Sequence, residues 1–257
     1  MTQRSETLQF LAVSPHRVEI LQTLRDAGQL RRSELTATSR ASHRTVKRAL
    51  AAFRERGWVQ ETDRRLRLTV GGAFVLDAYE GFADRASLVE DLRPFFANVA
   101  EEDCYAGPEA FEDATIIETD PGSPFAPVEY LLERYREATD HASVLLTYVS
   151  ASLLDRVVAE ERPEGLDVTI VVDDCVQSAI ERNGEYAGLL EERATTAEVF
   201  ALDETFPFTC AIVDDHAVIT ITDEDGFPSV VLGSTNPALR TVLEGRFRDA
   251  LERARPL

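Results

Sequence analysis

Lysine is almost absent from this chain of 257 residues, whose 27 basic side chains are 26 arginines and the single Lys47. Long apolar runs are also absent, since none reaches the roughly 18 residues that a membrane-spanning helix needs. Three cysteines, Cys104, Cys175 and Cys210, are too few and too widely spaced for a disulfide framework or a zinc cluster. We expect Cys175 and Cys210 to be small buried side chains, and the alternative is that they sense oxidants. Without a signal-type apolar block at its start, the chain is expected to be cytoplasmic.

The charge of the chain is high and unevenly distributed. With 46 acidic residues the net charge is −19, and such acidity with almost no lysine is typical of proteins from salt-loving microbes, in which charge keeps surfaces solvated. Residues 1–67 nevertheless hold 14 basic and 7 acidic side chains, a net charge of +7, whereas residues 68–257 hold 13 and 39, a net charge of −26. A basic segment on a very acidic protein indicates a nucleic acid or another polyanion as its partner.

The first part of the chain carries the signals of short helices. Ser14 followed by Pro15 is typical of a helix start, and Gly28 is typical of a left-handed helix end. A short strand is predicted at 29–31, and Ser33 is the expected N-cap of a second, short helix. A tight turn then leads to a third helix.

The third helix, predicted for His43–Arg56, has two different faces. One face is apolar at helical spacing and is expected to pack inward. The other face carries Arg44, Lys47 and Arg48, three and four residues apart, and therefore concentrates positive charge. Two short strands with a charged turn at 63–65 follow, which completes the pattern of an α+β winged helix-turn-helix. The inward-facing residues are Val46, Ala49, Leu50 and Phe53.

The stretch RRSELTATSRASHRTVKRALAAFRERGWV, over residues 31–59, resembles winged-helix transcription regulators of the archaeal MarR and ArsR-like type. The resemblance covers about a quarter of the chain and implies binding to double-stranded DNA. Winged helices also mediate protein contacts, and the basic charge on the exposed helix face favours DNA over protein as the partner. The residues that carry the pattern are Ser42, Thr45, Val46, Arg48, Leu50, Phe53, Gly57, Trp58 and Val59.

The resemblance implies a recognition helix that enters the major groove with its N-terminal residues nearest the base edges. An arginine there can bridge O6 and N7 of guanine, which is worth about 1–3 kcal/mol of discrimination. The alternative is that each residue is an ordinary solvated side chain. We expect base contacts from Ser42, His43, Arg44 and Lys47, and phosphate contacts from Arg48 and the hairpin residues Arg64, Arg65 and Arg67.

A long helix is predicted after the hairpin, with Thr69 as its N-cap and a mostly apolar stripe from Val70 to Leu92. It resembles the dimerisation helix of these regulators, which implies a homodimer whose wings face half-sites about 34 Å apart. The alternative is a helix that packs only on its own domain. We expect three parts: a DNA-binding domain over 1–69, a connector with the dimerisation helix over 70–113, and an effector or oligomerisation domain over 114–257.

The last part alternates strands and helices and then changes to strands alone. Continuous apolar runs predict buried strands at 144–149 and 168–172, with helices at 151–159 and 176–192. Three further strands joined by short turns predict an antiparallel meander within 208–232, before a C-terminal helix. We therefore expect an α/β domain with a mixed sheet that ends in an antiparallel meander.

The stretches SVLLTYVSASLLDRVV, GLDVTIVVDD and FPFTCAIVDDHAVITITDEDGFPSVVLGSTNPAL resemble the effector domains of archaeal regulators of the methanogenesis-regulator and sugar-responsive TrmB types. That resemblance implies a degenerate phospholipase-D-like fold, and Gly233, Ser234 and Asn236 are similar to a motif of that superfamily. Together with the acidic, lysine-poor composition, it indicates a regulator of haloarchaeal type.

Phosphodiester chemistry on such a fold needs a His-x-Lys motif, in which histidine attacks phosphorus and lysine neutralises its oxygens. His16, His141 and His216 are each followed two residues later by a residue other than lysine, and the only lysine lies in the predicted recognition helix. We therefore expect no catalytic site, and we expect neither a metal nor a cofactor.

A small-molecule effector is expected beyond the carboxyl ends of the strands, where ligands bind in open α/β sheets. The candidates are polar residues that follow predicted strands or lie near the meander, and the alternative is that they are ordinary loop and capping residues. The candidates are Tyr148, Ser150, Asp173, Thr209 and His216.

The sequence thus predicts a sequence-specific DNA-binding transcriptional regulator that acts as a homodimer, with an effector domain and no association with membranes. Two other classes stay open at this point. One is a phosphodiester-processing enzyme with a winged helix as its targeting module. The other is a protein–protein interaction module that uses the winged helix to bind protein.

Overall fold

The computed structural model describes residues 3–103, 106–149, 163, 165–182, 197–223 and 226–257. The chain divides into two compact units, Met1–Ser87 and Leu88–Leu257. Within the described ranges, no helix combines the length and the apolar character needed to cross a membrane.

The first unit is helical, with a small antiparallel sheet in the order β1-β3-β2. Its apolar core includes Leu24, Leu35, Leu50, Phe53 and Leu66, all at most 2% exposed. Its elements, with α5 running past the end of the unit, are α1 (Gln3–Ala12), α2 (Pro15–Ala27), β1 (Leu30–Arg31), α3 (Arg32–Thr38), α4 (His43–Glu55), β2 (Val59–Thr62), β3 (Arg65–Leu68) and α5 (Val70–Asp91).

The predicted helix boundaries in this unit are largely confirmed. Gly28 follows α2 with φ +69°, a conformation that glycine adopts without strain. The Thr45 N–H donates to Ser42 Oγ at the start of α4, over 3.2 Å, and the Gly72 N–H donates to Thr69 Oγ1 at the start of α5, over 3.0 Å.

The expectation that Ser33 caps the second helix is wrong. The helix α3 begins at Arg32, two residues before the predicted start at Glu34, so that Ser33 lies inside its first turn. The physical reason is that Glu34 caps this end instead, since its carboxylate accepts a hydrogen bond from the Arg31 N–H over 2.6 Å. The helix α1 has no counterpart among the predicted elements, although its Leu11 is fully buried.

The hairpin β2–β3, the wing, is closed by a tight two-residue turn. Asp63 and Arg64 both have positive φ, at 51° and 62°, as a hairpin turn of the primed type requires. Thr62 pairs with Arg65, and Val59 pairs with Leu68 at the other end of the hairpin. The predicted wing is therefore confirmed.

Gly72 marks a close approach between α5 and the start of the wing. A Cβ atom built at this position would lie within 2.9 Å of the Trp58 carbonyl carbon. The same carbonyl accepts a hydrogen bond from the Thr69 N–H over 2.9 Å. Only a residue without a side chain allows the helix to pack this closely.

The second unit contains an eight-stranded mixed sheet in the order β11-β7-β6-β5-β8-β9-β10-β4. The strands β5, β6 and β7 are parallel, and the other neighbours are antiparallel, which confirms the predicted mixed sheet with an antiparallel meander. Its elements are α6 (Arg93–Phe96), β4 (Thr115–Glu118), α7 (Ala126–Glu137), β5 (His141–Leu146), β6 (Asp167–Val172), α8 (Asp174–Arg182), β7 (Glu198–Ala201), β8 (Thr209–Val213), β9 (His216–Thr222), β10 (Pro228–Ser234), α9 (Pro237–Arg253) and β11 (Arg255–Pro256), with short 3₁₀ helices at Glu101–Asp103 and Pro108–Phe111.

The largest apolar cluster of this unit joins the sheet to α9 and to the segment that follows α5. Phe95, Phe96 and Phe111 contact one another with ring centroids 5.3–5.8 Å apart, which is the spacing of favourable aromatic pairs. The described residues of the segment 92–111 are therefore packed against the sheet.

The turn between β8 and β9 holds the start of β5 in place. Asp214, with φ 53°, accepts hydrogen bonds from the N–H groups of Thr139, Asp140 and His141 over 2.8–3.1 Å, and from the Thr139 hydroxyl over 3.0 Å. Partial burial acts to raise the pKa of Asp214, but these hydrogen bonds outweigh it and lower the pKa to about 2.

Two expectations for this unit need correction. The strand predicted at 144–149 occupies His141–Leu146, because Thr147 turns its N–H to the Thr209 hydroxyl, over 3.0 Å, instead of continuing the ladder. Cys210 is buried as expected, but Cys175 is exposed, since it lies in the first turn of α8 on the solvent side. Cys104, the helix predicted at 151–159 and residues 183–192 of another predicted helix lie outside the described residues.

Candidate nucleic-acid interface

The outer face of α4 presents three exposed cations. Arg44, Lys47 and Arg48 are exposed, whereas the four apolar residues predicted to face inward are buried. The ion pairs of the surrounding helices and wing involve other arginines. In the part of the chain that the structure describes, no carboxylate lies within ion-pair distance of these three side chains. Their charges are therefore free to meet an external anion.

The N-terminus of α4 is fixed by its own cap. The Ser42 hydroxyl accepts from the Thr45 N–H and lies 2.9 Å from the Thr45 hydroxyl. His43 follows it as an exposed residue. The side chain of Ser42 thus has a structural role in addition to any contact that it makes outside the protein.

The turn that precedes α4 is held by Glu19 of α2, which sequence reasoning missed. Its carboxylate accepts from the Arg40 N–H over 2.8 Å and lies 3.3 Å from Nδ1 of His16. The hydrogen bond from Arg40 lowers the pKa of Glu19. Glu19 and Arg40 are 21 positions apart, so no sequence signal indicates this contact, which positions α4 relative to α2.

The wing presents its arginines on the face opposite its buried residue. Leu66 is fully buried, so that Arg65 and Arg67, one residue to either side, face away from the core. Arg64 lies exposed at the tip of the turn. With its amide oxygen oriented toward the wing strand, Gln60 accepts from Nε of Arg67 over 2.7 Å.

Two further arginines beside the wing are already paired. Arg32 and Arg54 both contact the carboxylate of Glu61, with the Arg32 contact at 3.4 Å. Glu61 therefore neutralises the flank of α4 that faces the wing, and the unpaired charge stays with the outer face of α4 and with the wing arginines.

One face of α5 is apolar and open. Val70, Phe74 and Phe82 are 70%, 68% and 60% exposed. With Leu8 and Leu11 of α1, the two phenylalanines line a cleft of about 660 Å³. Two of the acidic residues of α5, Asp77 and Glu80, pair with Arg25 of α2 and so lie away from this apolar face.

The structure brings three of the predicted effector residues to one end of the sheet. Tyr148 and Asp173 follow β5 and β6, and Thr209 starts β8 beside them. All three are buried: Asp173 is 1% exposed and accepts from the N–H groups of Val176 and Phe206, over 2.9 and 3.4 Å. Burial raises the pKa of both Asp173 and Tyr148. Ser150 lies outside the described residues.

His216 lies at the opposite end of the sheet. It pairs with Val213, the last residue of β8, and Val213 lies beside the start of β5. The start of β5 is about 17 Å from the end of the same strand. Its Nδ1 lies 2.9 Å from Asp215, and its Nε2 lies 3.3 Å from Nη1 of Arg134. The five effector candidates therefore do not form one site, and the described residues contain no group of metal-binding side chains.

Comparison with known proteins gives two family matches. Residues 5–90 match the family described as the HVO_A0261 N-terminal domain, and residues 124–253 match the middle domain of the methanogenesis regulatory protein FilR1. No curated protein matches the sequence.

Three solved structures are distantly similar. TrmBL2, an archaeal chromatin protein with a novel mode of DNA binding, is 12% identical over 99% of this chain and 100% of its own, with a TM-score of 0.40. NucT from Helicobacter pylori is 14% identical over 56% of this chain and 98% of its own, with a TM-score of 0.43. The reduced form of MarR from E. coli is 18% identical over 50% of this chain and 78% of its own, with a TM-score of 0.31. Because the match to the FilR1 middle domain covers half of the residues, the chain belongs to the family of the methanogenesis regulatory protein FilR1, middle domain.

Proposed function

We propose that the protein is a sequence-specific DNA-binding transcriptional regulator. The observation that carries the proposal is the outer face of α4, where Arg44, Lys47 and Arg48 are exposed and no described carboxylate neutralises them. This basic face belongs to an N-terminal unit with a wing, on a chain whose net charge is −19. Membership of a family named after a regulatory protein also supports the proposal.

The proposed contacts divide into those that read bases and those that grip phosphates. Arg44 and Lys47 lie in the first half of α4 and are assigned to base edges, together with Ser42 and His43 at its start. Arg48 and the arginines of the wing are assigned to phosphates. The wing residues are Arg64, Arg65 and Arg67.

The functional division of the chain is part of the proposal. Residues 1–69 bind DNA, 70–113 connect and dimerise, and 114–257 form the effector or oligomerisation domain. The exposed apolar face of α5 supports dimerisation, because an apolar surface of this kind on a monomer favours a protein partner. Two-fold symmetry would then place two recognition helices at half-sites about 34 Å apart.

The effector domain is proposed to be a degenerate phospholipase-D-like domain that has a regulatory role. No His-x-Lys motif is present in the sequence, so the histidine and lysine that such hydrolysis needs are not supplied together. A small-molecule effector controls DNA binding only if it binds the DNA-competent and incompetent states with different affinities. Tyr148, Asp173 and Thr209 mark one end of the sheet as its proposed location, whereas Ser150 and His216 stay separate predictions.

The test is an in vitro selection from a library of random DNA duplexes with the full-length protein at high salt. Enrichment of one sequence, arranged as two half-sites about one turn apart, is the expected result. Failure to enrich any sequence would contradict the proposal. Hydrolysis of a generic phosphodiester would favour an enzyme, and a partner protein that displaces DNA from the basic face would favour an interaction module.

A further inference from the structure

A second group of arginines surrounds one aromatic ring of α1. The guanidinium carbon of Arg17, in α2, lies 3.9 Å from the centroid of the Phe10 ring. The guanidinium carbon of Arg56, directly after α4, lies 3.9 Å from the same centroid and 5.8 Å from that of Trp58. Neither arginine belongs to the contacts that the sequence predicts for DNA.

The ring is anchored in the core of the unit. Phe10 makes edge contacts with Phe53 at 6.1 Å and with Trp58 at 5.6 Å. The guanidinium of Arg17 also donates to the Phe10 carbonyl, and that of Arg56 donates to the Ala52 carbonyl over 3.4 Å. Stacking on a ring occupies the face of a guanidinium and leaves N–H donors at its edge for an anion.

These cations lie close to a third one and have no described counter-ion. Burial lowers the pKa of Arg17, and the neighbouring charges of Arg48 and Arg56 lower it further. Among the residues that the structure describes, no carboxylate comes within ion-pair distance of any of the three. Like charges that are held together repel one another, and a bound anion would relieve that repulsion.

The three residues lie along one flank of α4. Arg48 and Arg56 are eight residues apart, which is about 12 Å along a helix, and Arg17 interacts with both. The flank that faces the wing is different, because Arg54 there is paired with Glu61. A helix in the major groove, a groove about 12 Å wide, has a phosphate backbone on each side. If the wing contacts one backbone, these residues, on the flank of α4 away from Arg54, lie on the side of the other backbone.

We propose that Arg17, Arg48 and Arg56, the arginine row, bind phosphates of the DNA strand opposite the wing. This inference rests on the proposed DNA-binding function, and it adds Arg17 and Arg56 to the interface. Phosphate contacts position a protein without reading sequence. The arginine row therefore contributes affinity that depends on salt, and it leaves the preference between base sequences unchanged.

The test measures how the association constant depends on salt for two duplexes, the operator selected in vitro and a scrambled version of it. Each lost phosphate contact lowers the slope of log K against log salt concentration by about 0.9. Arg17→Gln and Arg56→Gln are each expected to lose about one such unit, and the double variant about two. When the salt concentration rises fourfold, the factor by which the association constant falls is then about 3.5 times smaller for each variant than for the wild type. The ratio between operator and scrambled duplex is expected to stay constant.

Arg25→Gln is the matched control, because Arg25 lies on the same helix as Arg17 and is already paired with Glu80. Its slope is expected to equal that of the wild type. A wild-type slope in both Arg17→Gln and Arg56→Gln would overturn the inference and leave the proposed function standing. If the wild type binds neither duplex, both the inference and the proposed function fail.

A purely structural role for the ring contacts is tested with Arg56→Lys, which keeps the charge and loses the planar stacking group. The inference predicts a slope near that of the wild type for Arg56→Lys and a reduced slope for Arg56→Gln. Equal reduction in both would overturn it, because the effect would then come from lost packing on Phe10. Circular dichroism at the binding temperature establishes that each variant is folded.

Discussion

Removing one aromatic ring from the apolar face of α5 is predicted to dissociate the proposed homodimer. A phenylalanine buries roughly 150–250 Å², so that the 68% exposure of Phe74 leaves on the order of 130 Å² available to a partner. At about 25 cal/mol per Å², burial of that area is worth about 3 kcal/mol. In a two-fold symmetric dimer each protomer buries this ring, so the free energy of burial is gained twice. If Phe74→Ser loses even half of that free energy, about 3 kcal/mol, the dimer Kd rises about 100-fold.

Sedimentation velocity over a range of protein concentrations measures this Kd directly. The fold of each protomer is expected to change little, because exposed substitutions alter the free energy of unfolding by about 0.5 kcal/mol or less. Val13→Ser is the control, since Val13 is 70% exposed and lies outside the cleft. The reasoning is refuted if the wild type is a monomer at every concentration, or if Phe74→Ser keeps the Kd of the wild type.

Two predictions concern the stability of the individual units. Asp214→Asn is expected to lower the free energy of unfolding by about 1–2 kcal/mol at neutral pH, because an amide accepts fewer of the four hydrogen bonds and the site is partly solvated. The pKa of Asp214 is depressed to about 2 in the folded state, so its contribution is present above about pH 4 and is lost as the pH falls through 2. Denaturant titrations should therefore show the difference shrinking in acid, and Asp140→Asn, an exposed neighbour, should show little difference at any pH. Gly72→Ala is expected to cost about 1–3 kcal/mol, since the new Cβ meets the Trp58 carbonyl. Gly71→Ala has room and should be neutral or stabilising, and equal stability of the two alanine variants would contradict the close approach.

The helix α4 was predictable because its signals are local. Helical spacing separates its apolar residues from Arg44, Lys47 and Arg48, and Ser42 supplies a cap within one turn. The hairpin was predictable for the same reason, since strands and turn are adjacent in the chain. Such features depend on neighbours within about four residues, so a single sequence contains all the information that they need.

The arginine row was not predictable, because it depends on tertiary packing. Arg17 and Arg56 are 39 residues apart in the sequence, and they meet only because Phe10 packs against Phe53 and Trp58. The contact of Glu19 with the Arg40 N–H is equally non-local. No spacing rule relates such residues, and the helix α1 that supplies the ring carries no clear apolar repeat.

The positions of the candidate effector residues could not be predicted from the sequence, because strand direction decides where they lie. Tyr148 and Asp173 follow parallel strands and therefore share an end of the sheet. The strand β8 runs antiparallel to β5, so that it begins at that end with Thr209 and finishes at the other end, where β9 begins with His216. The strand β5 also ends at Leu146, although the apolar run continues to Val149. The reason is that the N–H of Thr147 donates to the Thr209 hydroxyl and not to a neighbouring strand.

The specificity ratio of α4 variants is the most direct test of the central claim that its outer face reads DNA. Competition binding at working salt gives the ratio of affinities for the selected operator and its scrambled version. Arg44→Ala and Lys47→Ala are each expected to lower that ratio by about 10- to 100-fold, as the loss of a base contact does, whereas Arg253→Ala, in α9, leaves it unchanged. If both α4 variants keep the specificity ratio of the wild type, the claim is contradicted.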